Sequence, residues 1–328
     1  MDSRGLKRFA LVSAFIFPLV YVAGAAVPFA QMSFPDKSKT ISVIVPYPPG
    51  GGTDIAARVM TALLEKEVGV PVIVLNKAGA GGQIGFTELA RSKPDGYTMG
   101  MLVIPTAITT YLDPERKALF SRKSFELLAV QDQDPGIMAV KADSPYKTMK
   151  DLIDAAKAKP QSIRACTAGI LSDDHMAIMM AEQLGGVKFA VVHFDGVVPG
   201  RTAVLGGHVE AFFGNASELR SQVSGGSMRI LSVFDKKRSR YYPDVKTAEE
   251  QGFPMYSGVY HGVGMPAGAP REIRDYLAAA LKRVATSDEF KQRMEKMSYE
   301  PLYMDPDQYS AFWSEYEAGA KKWVERGK

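Results

Sequence analysis

The stretch ISVIVPYPPGGGTDIAAR, residues 41–58, decides how this chain is read. Ile41 to Tyr47 is uncharged and rich in β-branched residues, the composition of a strand buried on both faces. Gly50, Gly51 and Gly52 break it, and Ile55, Val59, Leu63 and Val68 then give helical spacing, with the helix opening at Thr53 or Asp54. A strand feeding a glycine turn and then a helix leaves the first helical N–H groups unpaired and lets a ligand approach the backbone. Such a terminus is a ready anion site. A turn that only needs glycine for positive φ, with Thr53 as an ordinary cap, would carry the same letters.

A second loop of the same design raises the functional reading. NKAGAGGQIG, residues 76–85, follows a short strand at Val72–Leu75 and precedes a helix running to about Arg91. A third strand, Tyr97–Ile104, is opened by the turn Pro94-Asp95-Gly96. Strand and helix in alternation predict a parallel sheet with crossover helices. Two glycine turns at the carboxyl ends of its strands can aim at one ligand. Neither loop has Lys followed by Ser or Thr after its last glycine, and Gly79, Gly81, Gly82 and Gly85 do not space as G-x-G-x-x-G. No phosphorylated cofactor is therefore expected, and a smaller anion such as a carboxylate suits the loops better. Neither loop contains Arg, and Lys77 is their one Lys, so backbone N–H groups should supply the grip.

A second set of strands and helices starts near Gly136. Thr148 and Asp151 predict a capped helix to about Ala158. The chain then alternates: strand 162–167, helix 174–184, strand 189–194, helix 199–205, strand 209–213, helix 217–223 and strand 228–234. Beyond it come loops rich in proline and glycine and three helices. Ile273, Leu277, Leu281 and Val284 stripe one of them, and Tyr309, Trp313, Tyr316 and Ala320 stripe the last. Such a tail, without a sheet of its own, should pack on the first set. The expected organisation is a lobe of residues 41–135 plus 235–328 and a second lobe of 136–234, with two crossings at one hinge.

Within the inserted lobe, AGILSDDHMA at residues 168–177 again joins a strand to a helix. Ser172 can cap that helix, Asp173 and Asp174 complement its dipole, and His175 falls in the first turn. A hydrolase using Ser172 and His175 is a rival reading, but no G-x-S-x-G surrounds the serine. His175, His193, His208 and His261 show no paired ligand spacing, so no metal site is expected. One cysteine, Cys166, excludes an intramolecular disulfide.

The chain has 328 residues, a length that suits two domains. With 40 basic and 36 acidic side chains, its net charge of +4 is too small for a dedicated nucleic-acid binder. Lys7 and Arg8, the apolar run Phe9–Val22 and the small residues Ala23 to Ala26 follow the order of a secretory signal peptide. The run is shorter than the roughly 20 residues a spanning helix needs, and Pro18 interrupts it. Residues 1–25 are therefore expected to be removed, with cleavage as late as residue 30, giving a soluble periplasmic protein.

Several further segments stand in one order: VPYPPGGGTDIAAR, VLNKAGAGGQIG, KPDGYTM, G-x-L-S-x-x-H at 169–175, FDGVVPGRTAVLGGHVEAFF, YYPDVKTAEEQGFP and GVGMPAGAP. In these the chain resembles the Bug family, the extracytoplasmic solute-binding receptors of tripartite tricarboxylate transporters, from about Ile41 to its end. The resemblance implies an α/β, two-lobed periplasmic-binding-protein clamshell, type II-like. It implies a monomer that binds a small organic carboxylate between the lobes, without chemistry or cofactor, and delivers it to membrane transporter subunits. A ligand-sensing module for a membrane sensor is the alternative partner. Carried over residue by residue, the carboxylate grip falls on Tyr47, Pro49, Gly50, Gly51, Gly52, Thr53 and Asp54, and on Gly79, Ala80, Gly81 and Gly82. Ser172, His175, Phe194, Asp195 and Gly196 face them from the other lobe. Leu171 stands where the family often has glycine, Asp195 where lysine is usual, and Tyr260 where tryptophan is common. An aspartate facing the cleft at 195 disfavours a second carboxylate on the ligand.

Overall fold

The apolar run after Thr40 forms β1 (Ile41–Val45), whose side chains are buried on both faces apart from Ser42. The structure, a computed structural model, describes residues 34–326, so the signal-peptide reading of residues 1–25 lies outside the described residues. From β1 the chain passes through α1 (Gly52–Val68), β2 (Val72–Asn76), α2 (Gln83–Arg91), β3 (Thr98–Ile104), α3 (Thr106–Leu112) and β4 (Phe125–Lys141). It continues through α4 (Met149–Ala158), β5 (Arg164–Thr167), α5 (Asp173–Gly185), β6 (Ala190–His193), α6 (Val197–Leu205), β7 (Ala211–Asn215), α7 (Arg220–Ser224) and β8 (Met228–Val233). The last elements are β9 (Gly258–Pro266), α8 (Arg271–Thr286), α9 (Asp288–Lys296), β10 (Glu300–Met304) and α10 (Pro306–Arg326).

These strands make one ten-stranded sheet in the order β2-β1-β3-β9-β4-β7-β5-β6, with β10 and β8 also on β4. The expected parallel pairing holds for β1 with β2 and β3, and for β5 with β6 and β7. Between these parallel groups stand antiparallel strands. β4 is seventeen residues long. Its first half, through Pro135, lies between β9 and β10, and its second half, from Gly136, lies between β7 and β8. In that second half Met138 and Val140 enter the core covered by α4 and α5, while Ile137 and Ala139 enter a smaller core under α6. This is the two-residue alternation of a strand covered on both faces.

The tail differs from the expected three helices. It does contain α8, α9 and α10, with Ile273, Leu277, Leu281, Tyr309 and Trp313 buried in the largest core. It also contributes β9 to the middle of the sheet and β10 beside it. Gly258, Gly262 and Gly264 disguised β9, because glycine is a poor strand former. All three are required by close packing: a Cβ at Gly258 would lie 2.7 Å from the Asp134 carbonyl oxygen, one at Gly262 would overlap the Tyr309 hydroxyl, and one at Gly264 would overlap Leu102. Residues after 235 do not return at once to the first half of the sheet. Tyr242, Val245, Ala248, Phe253 and Met255 pack into the cores around β7 and β8, and the chain rejoins β3 and the first half of β4 at β9.

Candidate functional site

At the end of β1, Gly51 takes an extended conformation with no side-chain cap, and α1 starts at Gly52. The first amides of α1 have no intrahelical partner. Thr53 is not their cap. Its hydroxyl lies 3.1 Å from His261 Nε2, and His261 Nδ1 lies 2.7 Å from Asp132 Oδ1. Burial works to lower the affinity of His261 for its proton, but the Asp132 carboxylate outweighs it and the balance is raised. As an imidazolium the ring donates to both Asp132 and Thr53, which leaves the Thr53 O–H free to donate into the cleft.

Asp54 turns the other way. Its carboxylate accepts from the Gly50 amide at 2.9 Å, Arg58 Nε at 2.9 Å and Asn76 Nδ2 at 2.9 Å. Burial opposes ionisation there, but those three donors hold the carboxyl below the usual range. Asp54 therefore shapes the loop from behind.

Two more helix starts face α1. Ser172 caps α5, its hydroxyl accepting from the His175 amide at 3.3 Å. Gly196, at φ 97°, opens α6 and donates its own amide to Ala168 O at 3.0 Å. Beneath these starts lies a buried acidic floor. Asp173 accepts from Asn215 Nδ2 and Asp174 from the Ala168 amide, each at 2.9 Å. Asp134 is bonded by the amide and hydroxyl of Ser217, and Glu218 by the Asn215 amide. Burial raises the carboxyl groups of Asp134, Asp173 and Asp174, and with Asp134 nearby it pushes Glu218 up to about 8.

The starts of α1, α5 and α6 enclose a cavity of about 30 Å³. That is space for one or two waters. Of the expected residues, Tyr47, Gly51, Gly52, Thr53 and Ser172 line it, and Val197 and Val198 line it where α6 begins. Pro49, Gly50 and Asp54 do not. His175 does not either: its Nδ1 accepts the Leu171 amide at 3.0 Å and its ring stands edge-on to His193 at 4.6 Å. Burial, with His193 beside it, pushes His175 down to about 4. Ser172 and His175 thus meet through a backbone amide and not as nucleophile and base.

The second glycine loop lies at the rim. Gly79, Ala80, Gly81 and Gly82 do not line the cavity. The Gly81 amide donates to Asp195 Oδ1 at 3.1 Å, so the protein's own carboxylate holds this anion donor. Arg116 bonds Ala80 O and, at 3.2 Å, Ile170 O from the facing loop. Phe194 donates its amide to Thr167 O at 3.0 Å, and Gly196 sits so close to Pro48 that a Cβ would lie 2.8 Å from Pro48 Cδ.

The family model of the tripartite tricarboxylate transporter receptors matches residues 56–326. The chain belongs to that family. A UPF0065 protein from the gbd 5′ region of Cupriavidus necator is 29% identical over 92% of this chain and 91% of its own length. BugT of Bordetella pertussis is 28% identical over 89% of this receptor and 90% of its own length. A solved structure described as a periplasmic transporter superposes with a TM-score of 0.83 at 27% identity, over 89% of this receptor and 98% of that chain. The fold is accordingly the mixed α/β fold of periplasmic binding proteins of this family.

The receptor's cavity also contains residues that sequence reasoning passed over: Asp173 and Asp174 as lining groups, Asn215, Glu218, Val259 and His261. One signal was available. Gln131, Asp132, Gln133 and Asp134 interrupt an otherwise apolar stretch at 127–140, and polar side chains inside a buried strand need partners.

Proposed function

We propose that this receptor works in the periplasm, captures a small organic carboxylate between two lobes, and passes it unchanged to the membrane subunits of a tripartite transporter. One observation carries the reading: the N-termini of α1, α5 and α6 converge on a single cavity. Helix starts offer unpaired N–H donors and a favourable dipole to an anion. A charge-assisted hydrogen bond contributes roughly 1.5–3 kcal/mol, so two or three suffice to orient one carboxylate.

The lobes are the sheet regions on either side of the middle of β4, and the hinge is the pair of crossings at Pro135–Gly136 and just before β9. At about 30 Å³ the cavity is far smaller than any organic acid, so ligand entry requires the lobes to part. Contacts that must break include the Asp195–Gly81 bond, the Arg116–Ile170 bond and the 2.8 Å bond from Thr109 Oγ1 to Leu171 O. Ser172 and His175 meet only through the His175 amide, so the two do not form a nucleophile–base pair.

A thermal-shift screen of mono-, di- and tricarboxylates tests the reading. A ligand at 100 times its dissociation constant stabilises the fold by about 2.7 kcal/mol. Solution scattering with that ligand should report a changed radius of gyration relative to the free protein. A panel in which no carboxylate stabilises the protein, or in which one is chemically converted, defeats it. Mass spectrometry of the exported protein locates the new N-terminus, expected between residues 25 and 31.

A further inference from the structure

The outer face of α2 carries a feature that ligand capture does not use. Ile84, Thr87, Glu88 and Arg91 stand at i, i+3, i+4 and i+7 and share one face of the helix, while Phe86 and Leu89 are buried on the other. With Ala80 and Arg116 that face lines a groove of about 640 Å³. Ile84 is 50% exposed, and Ile170, whose carbonyl accepts from Arg116, is 47% exposed.

The charge of the groove is positive. Glu88 is neutralised by Lys77 at 3.1 Å, whereas neither Arg91 nor Arg116 has a carboxylate within ion-pair distance among the described residues. Arg116 is also fixed in advance. Its Nε donates to Gln83 Oε1 at 3.1 Å, its terminal nitrogens donate to Ala80 O and Ile170 O, and Gln83 Nε2 returns a bond to Arg116 O at 2.9 Å. A guanidinium has five N–H groups, so two remain, one on each terminal nitrogen, as a carboxylate needs for a two-pronged bond.

We infer that this groove docks a protein segment presenting an acidic side chain beside an apolar one, the carboxylate held by Arg116 and Arg91 and the apolar group by Ile84. Two arginines are too few for a membrane surface, which attracts clusters of roughly four to eight basic residues. Arginine beside exposed apolar surface marks a protein contact instead. Arg116 also belongs to the contacts that close the cleft, so a partner seated here touches the receptor where its ligand must leave. That position fits the membrane subunits of the transporter, an identity that rests on the transport reading.

The test uses the full exported protein and the transporter's membrane subunits reconstituted in phosphatidylcholine vesicles, with binding followed by co-sedimentation. Ile84→Glu and Arg91→Glu should each weaken binding about tenfold or more, and Arg91→Lys should keep most of it. Lys157→Glu, an equal charge reversal on an exposed residue of α4, should bind as the parent does. Unfolding curves are run on each variant, and Arg91→Gln replaces Arg91→Glu if the latter does not fold. Parent-like binding by the folded Ile84 and Arg91 variants overturns the docking surface, as does a parent that does not bind the subunits. An equal loss in Lys157→Glu reduces the effect to overall charge and overturns it too. Parent binding to subunit-free phosphatidylglycerol vesicles that Arg91→Glu abolishes assigns the groove to lipid and overturns it. Capture is scored separately, since the variants should keep the parent's thermal shifts across the carboxylate panel. A folded variant that loses those shifts places the groove in capture and overturns the docking role. A parent that no carboxylate stabilises defeats capture and leaves the docking comparison standing.

Discussion

Residues 46–52 and 76–82 are two glycine-rich turns at the ends of neighbouring parallel strands, and the fold gives them opposite tasks. The first turn has its acid, Asp54, behind it, bonded to Gly50, so the amides at the front of α1 face the cavity. The second turn has an acid in front of it. Asp195 takes the Gly81 amide, Arg116 takes the Ala80 carbonyl, and the loop seals the rim. The same local chemistry thus makes a binding surface in one place and a latch in the other. What distinguishes them is the sheet position of the facing strand ends, which a glycine pattern does not encode.

The sharpest way to break this comparison is Gly52→Val. Gly52 has no left-handed backbone, and a Cβ there would stand 3.1 Å from Glu218 Oε1, so a valine would intrude on the cavity and press on the Glu218 side chain. Binding of the best carboxylate should fall by about a hundredfold or more, close to 2.7 kcal/mol, with unfolding curves run alongside to separate lost binding from lost stability. Retained affinity would remove the first loop from the site.

The floor under the first loop should also titrate. Glu218 keeps its proton to about pH 8 in the fold, against an ordinary 4.5 in the unfolded chain, so between those values the folded state binds more protons. The raised His261 acts in the same sense, its contribution being complete below about pH 6.5 and lost as pH rises through its folded value. Stability of the ligand-free protein should therefore fall from pH 6 to pH 8, by roughly 2–3 kcal/mol from Glu218. Denaturant unfolding at both pH values checks this, and Glu218→Gln should flatten the profile. A rise in stability over that range would contradict the buried floor.

In the second loop Gly81 has φ 59°, a left-handed conformation that a β-branched residue resists. Gly81→Val should destabilise the fold by about 1–3 kcal/mol while changing carboxylate affinity less than tenfold. Asp195→Ala removes one hydrogen bond from the latch, worth roughly 1 kcal/mol, and should shift the balance toward the open form about fivefold. Scattering of the ligand-free variant would show it as an increased radius of gyration. The smallest effect belongs to Lys77→Ala. Lys77 pairs with Glu88 at 3.1 Å between two exposed side chains, a contact worth about 0–1 kcal/mol, and ligand titrations should not distinguish the variant from the parent.

Much of the architecture was legible because its signals are local. The β-branched run at 41–45, the stripe through Ile273 and Leu277, and the Thr148–Asp151 capping box all form as read, the last with both reciprocal bonds in place. β9 was not legible, since its glycines are there for Asp134, Tyr309 and Leu102, residues brought close only by the finished fold. The same holds for the cavity. Thr53, Ser172 and the glycines of the first loop stand out by their position between strand and helix. Asp132, Glu218 and His261 join them from distant segments, through contacts that span up to 208 residues of sequence. Asp173 and Asp174 read as helix-dipole partners, which explains their place in the first turn but not their burial.

The seventeen-residue β4 has a consequence for anyone wishing to cut this protein into parts. Because one strand supplies ladder partners to β9 and β10 with its first half and to β7 and β8 with its second, a scission between the two regions must cut a continuous strand at Pro135–Gly136. A fragment beginning at Gly136 would keep its pairs with β7 and β8 but open on a raw strand end, and its complement would display the other end of the same strand beside β9. Such exposed strand ends recruit other chains. The two halves are therefore a single heritable unit: they can diverge in the loops that meet the ligand, but neither can be swapped as a cassette without its share of β4.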